Sequence, residues 1–250
     1  MDRMKKQREL LKAHRWDRFA DEQTPQRKNE PVPPIQKPYP EDAVLIDLVA
    51  PKDLQVGDAP LIEIIRARES HRAYTDETLS LEELSFLLWA TQGVREVAEN
   101  GKFTKRTVPS GGARHAFETY LLIQRVRGLM PGLYRYLPLE HKLYFIRQVE
   151  NLSEKVSDGC RGQKFVGNAA VVFVWTTVPY RAEWRYGLVS HKMIAMDSGH
   201  VCQNLYLACG SISAGTCAVD AYDQAKMDAL LGVDGEDEFV IYVAPVGKVA

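Results

Sequence analysis

The chain has 250 residues, 45% of them apolar and 26% charged, and a formal net charge of −1. That length can bury one sizeable core, and the balanced charge excludes a broad basic surface for nucleic acid or an anionic membrane. No apolar run is long enough to span a bilayer, and Met1-Asp2-Arg3-Met4-Lys5-Lys6-Gln7-Arg8 has no apolar secretory region behind it, so the expected location is cytoplasmic.

Residues 1–58 differ from the rest. Residues 4–19 predict one amphipathic helix, with Leu10, Leu11, Trp16 and Phe19 on a stripe. Prolines crowd residues 21–40, at a density that excludes both a helix and a central strand. A strand-like run follows at residues 43–48. The whole region reads as an N-terminal helix and a Pro-rich extended arm lying along the body or a partner subunit. A disordered tail is the competing reading, although Trp16, Phe19 and Tyr39 need something to bury. An SH3-like partner for the prolines is disfavoured by the lack of a repeated Pro-x-x-Pro register.

The body spans residues 59–250. A short apolar helix over residues 60–67 leads into Arg68-Glu69-Ser70-His71-Arg72. Ser80, with Glu83 three residues on, is a capping box for a helix that carries Leu81, Leu84, Leu87 and Leu88 and stops at Gly93. Residues 117–125 read as a strand, and residues 132–137 and 142–147 alternate as a hairpin. The unbroken apolar run at 169–177 predicts a strand covered on both faces. Residues 189–210 predict a long helix, apolar over most of its circumference and therefore central. A strand at 216–220, a short helix at 223–231 ending at Gly232, and a buried strand at 238–245 complete an α+β pattern, a mixed sheet wrapped by helices.

Cys160, Cys202, Cys209 and Cys217 form no Cys-x-x-Cys, and no His pair has metal-ligand spacing, so reduced core thiols and no metal site are expected. Arg68 and Arg72 bracket the Ser70 hydroxyl. Two fixed guanidinium forks around a short donor suit a phosphate monoester, and they also suit a solvated basic helix end. Pro109-Ser110-Gly111-Gly112-Ala113-Arg114 is a small-residue loop able to approach a planar ligand closely.

The ordered set resembles the FMN-dependent nitroreductase superfamily, and within it the SagB-type dehydrogenase branch. It comprises Arg68-x-Ser70-x-Arg72, the helix at residues 79–90, the Pro109 loop, the run at residues 132–136, the motif opened by Asp197, and Ala244-Pro245-Val246-Gly247. The resemblance covers roughly residues 60–250 and implies a three-layer α+β sandwich, mainly antiparallel, in a domain-swapped type of homodimer. FMN would sit at the subunit interface, and ping-pong chemistry would carry electrons from NAD(P)H to a small conjugated or nitro-type acceptor. Oxidation of a peptide azoline, or a non-catalytic flavin-binding module, are the alternatives.

The resemblance also assigns residues. Arg68, Ser70 and Arg72 fall on the phosphate and ribityl contacts, and Pro109, Ser110 and Gly111 on the loop against the flavin ring. Arg114 is a candidate charge near the flavin pyrimidine or an ordinary surface arginine. Ala218, Val219 and Asp220 fall where a backbone N–H reaches flavin N5, and Lys164 where a cation would balance charge on the reduced ring. Arg185 and Tyr186 occupy the place of a Lys-Tyr pair that transfers protons in azoline-oxidising members. Arginine cannot replace lysine as a base, which argues against that activity. Many relatives continue beyond the final strand with basic phosphate ligands; here either Lys248 serves, or the N-terminal arm replaces that segment, or FMN binds more weakly.

Overall fold

The apolar run at 169–177 is the spine of the molecule. In the computed structural model, which describes residues 2–99 and 101–250, it forms strand β7 (Val171–Thr177), buried throughout. It lies in a seven-stranded sheet of order β1-β6-β5-β4-β7-β9-β8. The other strands are β1 (Leu45–Asp47), β4 (Phe117–Ile123), β5 (Gly132–Leu137), β6 (Lys142–Arg147), β8 (Ala214–Thr216) and β9 (Phe239–Lys248). Every ladder in this sheet is antiparallel. Strands β2 (Val94–Val97) and β3 (Thr104–Arg106) form a separate hairpin.

Alternation along β7 builds two cores. Val171, Phe173 and Trp175 face helices α3 (Leu81–Gln92) and α7 (Ser190–Gly210), where Leu84, Leu88, Ile194 and Leu205 meet them. Val172 and Val174 face α4 (Leu152–Gly159), α5 (Lys164–Gly167) and α8 (Gln224–Leu231) through Val156, Val166 and Met227. The result is three layers, helix–sheet–helix, and each fully buried aliphatic side chain contributes roughly 1.5–3 kcal/mol. The capping box forms as expected: Glu83 N–H donates to Ser80 Oγ at 3.1 Å, and Ser80 N–H to Glu83 Oε2 at 2.8 Å. All four cysteines are free and buried. Among the described residues, no helix is long and apolar enough to cross a membrane.

Three expectations need correction. The helix expected at residues 4–19 is α1 (Asp2–Arg8) followed by two short 3-10 turns, Glu9–Leu11 and His14–Arg18, neither with a buried residue. So short a helix is marginal without tertiary packing, and Trp16 and Phe19 pack instead against Tyr186 on α6 (Tyr180–Tyr186). The strand expected at 216–220 is β8 plus an isolated Val219–Val243 bridge. Helix α7 is covered on one side only, since Ala195, Met196, Gly199 and Gln203 are exposed.

The arm lies along the body of its own chain, held by arginines whose side chains are buried. Arg181 Nε donates to Pro34 O (2.9 Å), Arg106 Nη2 to Ile35 O (3.1 Å), and Arg135 Nη2 to Pro38 O (2.8 Å). Prolines cannot join a ladder as donors, but their carbonyls accept, so guanidinium forks replace strand pairing here. Glu118 joins the set by accepting from Lys37 N–H at 2.7 Å.

Candidate functional site

Helix α2 (Leu61–Ala67) ends at Arg68, where the backbone turns extended. His71 N–H then donates to Thr216 O at 3.0 Å, laying residues 68–72 beside β8. Ser70 Oγ lies 2.9 Å from the Tyr206 hydroxyl on α7, and the Arg68 guanidinium stands 5.6 Å from the Tyr206 ring centroid. The same hydroxyl accepts the Ala218 N–H at 2.9 Å. Tyr206 therefore brings together three residues expected at the cofactor: Arg68, Ser70 and Ala218.

A cleft of about 50 Å³ opens there, lined by Arg68, Glu69, His71, Tyr206, Gly215 and Thr216. Thr216 Oγ1 is buried with no hydrogen-bond partner, which is costly unless a bound group satisfies it. A Cβ on Gly215 would lie 2.5 Å from the His71 ring, so this close approach requires glycine. Arg68 and Arg72 are exposed and form no ion pair among the described residues. Arg72 stands 6.0 Å from the Phe165 ring centroid, next to the exposed Lys164. Gln163 Nε2 donates to Ala221 O at 2.9 Å and ties α5 to the loop after Asp220.

The backbone donors expected near a flavin are partly used. Val219 N–H donates to Val243 O at 2.8 Å and Ala218 N–H to Tyr206, which leaves the Asp220 amide. The Lys248 ammonium is also occupied, 2.5 Å from Glu83 Oε1 and 2.7 Å from Ile212 O. It ties β9 to the start of α3.

The second expected group gathers elsewhere on α7, around Asp197. Gly111 N–H donates to Asp197 Oδ2 at 3.1 Å, and the Ser110 hydroxyl bonds the same carboxylate. Burial pushes the Asp197 carboxyl above its ordinary range, and these loop donors oppose the shift. Gly112 has φ +59, and a Cβ there would lie 2.3 Å from the Tyr186 hydroxyl. The loop and Tyr186 thus fit only with glycine between them. Arg185 is exposed, its guanidinium 5.3 Å from the Tyr186 ring centroid. Arg114 is neither a surface residue nor a free charge: it is buried, donating from Nε to Arg181 O at 2.7 Å and covering the Trp184 ring at 5.1 Å.

Nine residues of α7 separate Asp197 from Tyr206, about 13.5 Å at 1.5 Å per residue, so the expected residues gather as two separate groups. Between them, a cleft of about 830 Å³ opens among α2, α3, α7 and the Pro109 loop, with Ile64, Phe86, Trp89, Ser110 and Asn204 on its walls. Leu61, Ile62 and Ile65 of α2 are exposed nearby. Tyr206, Asp197 and Thr216 acquire roles that no local signal announces: a tyrosine in an apolar helical run, an aspartate in a motif without an assigned role, and a strand threonine.

The model of the nitroreductase family matches residues 65–248. A provisionally named nitroreductase of Methanocaldococcus jannaschii is 30% identical over 193 residues, 77% of this chain and 93% of its own length. A nitroreductase-like crystal structure from Ralstonia eutropha is 27% identical with a TM-score of 0.67, over 88% of this chain and 99% of that one. Another from Anabaena variabilis is 26% identical with a TM-score of 0.69, over 84% of this chain but only 42% of that longer one. A Desulfovibrio desulfuricans protein solved in complex with FMN shares the fold alone, at 18% identity and a TM-score of 0.52 over 77% and 88% of the two chains.

Proposed function

The chain belongs to the nitroreductase family, and from that premise we propose that it is an FMN-dependent oxidoreductase passing electrons from NAD(P)H to a small conjugated or nitro-type acceptor. The observation that carries this reading is the convergence of Arg68, Ser70 and Ala218 on Tyr206, beside the unpartnered buried hydroxyl of Thr216. These residues fit a phosphorylated ligand, with two unpaired guanidinium groups, a short donor and a glycine-lined close approach.

FMN supplies hydride and electron transfer when bound. Arg68 and Arg72 would hold its phosphate. The Asp220 amide is the remaining backbone donor of the 218–220 run for the ring edge, and Lys164 would offset negative charge there. Tyr186 would give a proton to the acceptor. Arg185 would orient an anion, since an arginine does not serve as a base.

The reading includes a homodimer. Within one chain the two half-sites sit at different turns of α7, whose small exposed face carries Ala195 and Gly199, while α2 exposes Leu61, Ile62 and Ile65. Pairing two copies across these surfaces would bring the Arg68 half-site of one beside the Ser110 loop of the other. The test is the absorption spectrum and elution volume of the purified protein incubated with FMN. Flavin bands and a dimeric mass are expected; a protein that gains no flavin overturns the proposal.

A further inference from the structure

The segment ahead of the Pro-rich arm has no role so far, yet it is firmly placed. Arg27 Nη1 faces the carbonyl oxygens of Phe19 (2.6 Å), Ala20 (3.1 Å) and Glu22 (2.6 Å), and its guanidinium covers the Phe19 ring at 4.7 Å. The backbone of Leu188, just after α6, is gripped from both sides. Its N–H donates to Glu22 Oε1 (3.0 Å) and its carbonyl accepts from Arg15 Nη1 (2.7 Å). Gly187 has φ +50, which favours glycine, and a Cβ there would press on the Glu22 carboxylate.

These contacts set two aromatic rings against Tyr186. The centroids of Trp16 and Phe19 each lie 6.1 Å from that of Tyr186 and 5.1 Å from one another. Trp16 meets Tyr186 nearly edge-on, at 69°, and stays 45% exposed. Charges of both signs surround it, with Asp17, Arg18 and Asp21 on the same segment. Arg15 binds Leu188 O, Lys192 binds Leu11 O, and Arg185 covers the Tyr186 ring. Glu22 is taken by Leu188 N–H and Glu183 by His191 (2.8 Å), whereas Asp17 beside Trp16 forms no ion pair among the described residues. Arg185 forms no ion pair among the described residues. An exposed aromatic ring and a guanidinium without an ion pair, both packed on Tyr186, suit a flat π-system that carries an anion.

We propose that Trp16 and Phe19 form the acceptor wall of the Tyr186 site, and that the acceptor is a planar aromatic carboxylate, its ring on Trp16 and its carboxylate on Arg185. This rests on the reading of Tyr186 as an active-site residue. It assigns the N-terminal segment to substrate recognition.

The test is saturation-transfer NMR of the full chain with 4-nitrobenzoate and with nitrobenzene as probes. The wild-type protein is expected to bind 4-nitrobenzoate. Trp16→Ala should weaken both probes tenfold or more, Trp16→Phe should restore most of that loss, and Arg185→Gln should weaken 4-nitrobenzoate selectively. Circular dichroism shows whether each variant is folded. No binding by the wild-type protein, or equal 4-nitrobenzoate affinity in wild type, Trp16→Ala and Arg185→Gln, overturns the proposal. Flavin content and ferricyanide reduction, measured on the wild-type protein alone, report separately on the oxidoreductase reading, because the binding result does not depend on turnover.

Discussion

Ser70 and Tyr206 are 136 positions apart in sequence, and their hydroxyl oxygens lie 2.9 Å apart. The Tyr206 hydroxyl also accepts the Ala218 N–H, so one side chain of α7 fixes the Arg68–Arg72 run and the strand end together. Tyr206→Phe should remove both bonds while keeping the ring under Arg68. Leaving a partly buried donor unpaired costs about 1–3 kcal/mol. The expected outcome is weaker FMN binding in a fluorescence titration, with the fold preserved.

Arg68 and Arg72 are exposed and contribute little packing. The double variant Arg68→Ala/Arg72→Ala should therefore leave the thermal midpoint of flavin-free protein nearly unchanged. It should lower FMN affinity strongly, since each charge-assisted contact is worth roughly 1.5–3 kcal/mol. An unaltered dissociation constant would place the phosphate elsewhere.

Glu118 and Arg181 form a buried pair, Arg181 Nη2 to Glu118 Oε1 at 2.5 Å, and Glu118 also accepts from Lys37 N–H. Glu118→Ala strands the buried guanidinium, a loss of about 3–5 kcal/mol for a broken buried pair. Urea unfolding should show the lower midpoint. Proteolysis in the 24–40 stretch should accelerate, because the arm loses an anchor.

His115 carries a pH prediction. Burial, reinforced by the Arg106 guanidinium, pushes its imidazole down to about 3 in the folded protein, against an ordinary value of 6.5. Well above pH 6.5 both states hold it neutral and stability does not depend on it. As pH falls from 6.5 toward 3, the unfolded chain takes up a proton that the folded chain refuses, so stability declines by up to ~1.4 kcal/mol per pH unit. His115→Asn suits the positive φ of 44° and removes the titration. The variant's unfolding free energy should fall less than the wild type's between pH 7 and pH 5.

The capping box at Ser80, the alternation of β5 and β6 and the apolar run of β7 were legible because each is a local rule, satisfied by residues within a turn or a pleat. Helix α6 was not legible, because its buried face includes Arg181 and Trp184, whose partners are arm carbonyls about 150 positions away. The β2–β3 hairpin escaped for a similar reason: Val94–Val97 is half charged and largely exposed. The motif order across residues 60–250 determined the family from sequence alone, and the matching family model bears that out.

Only the tertiary structure decided how the motifs divide. Arg68, Ser70 and Ala218 meet at Tyr206, Ser110 and Gly111 meet at Asp197, and Lys248 turns to Glu83. Residue type and spacing set which chemistry a side chain can offer. Long-range hydrogen bonds, which carry no local pattern, set which side chains are free to offer it.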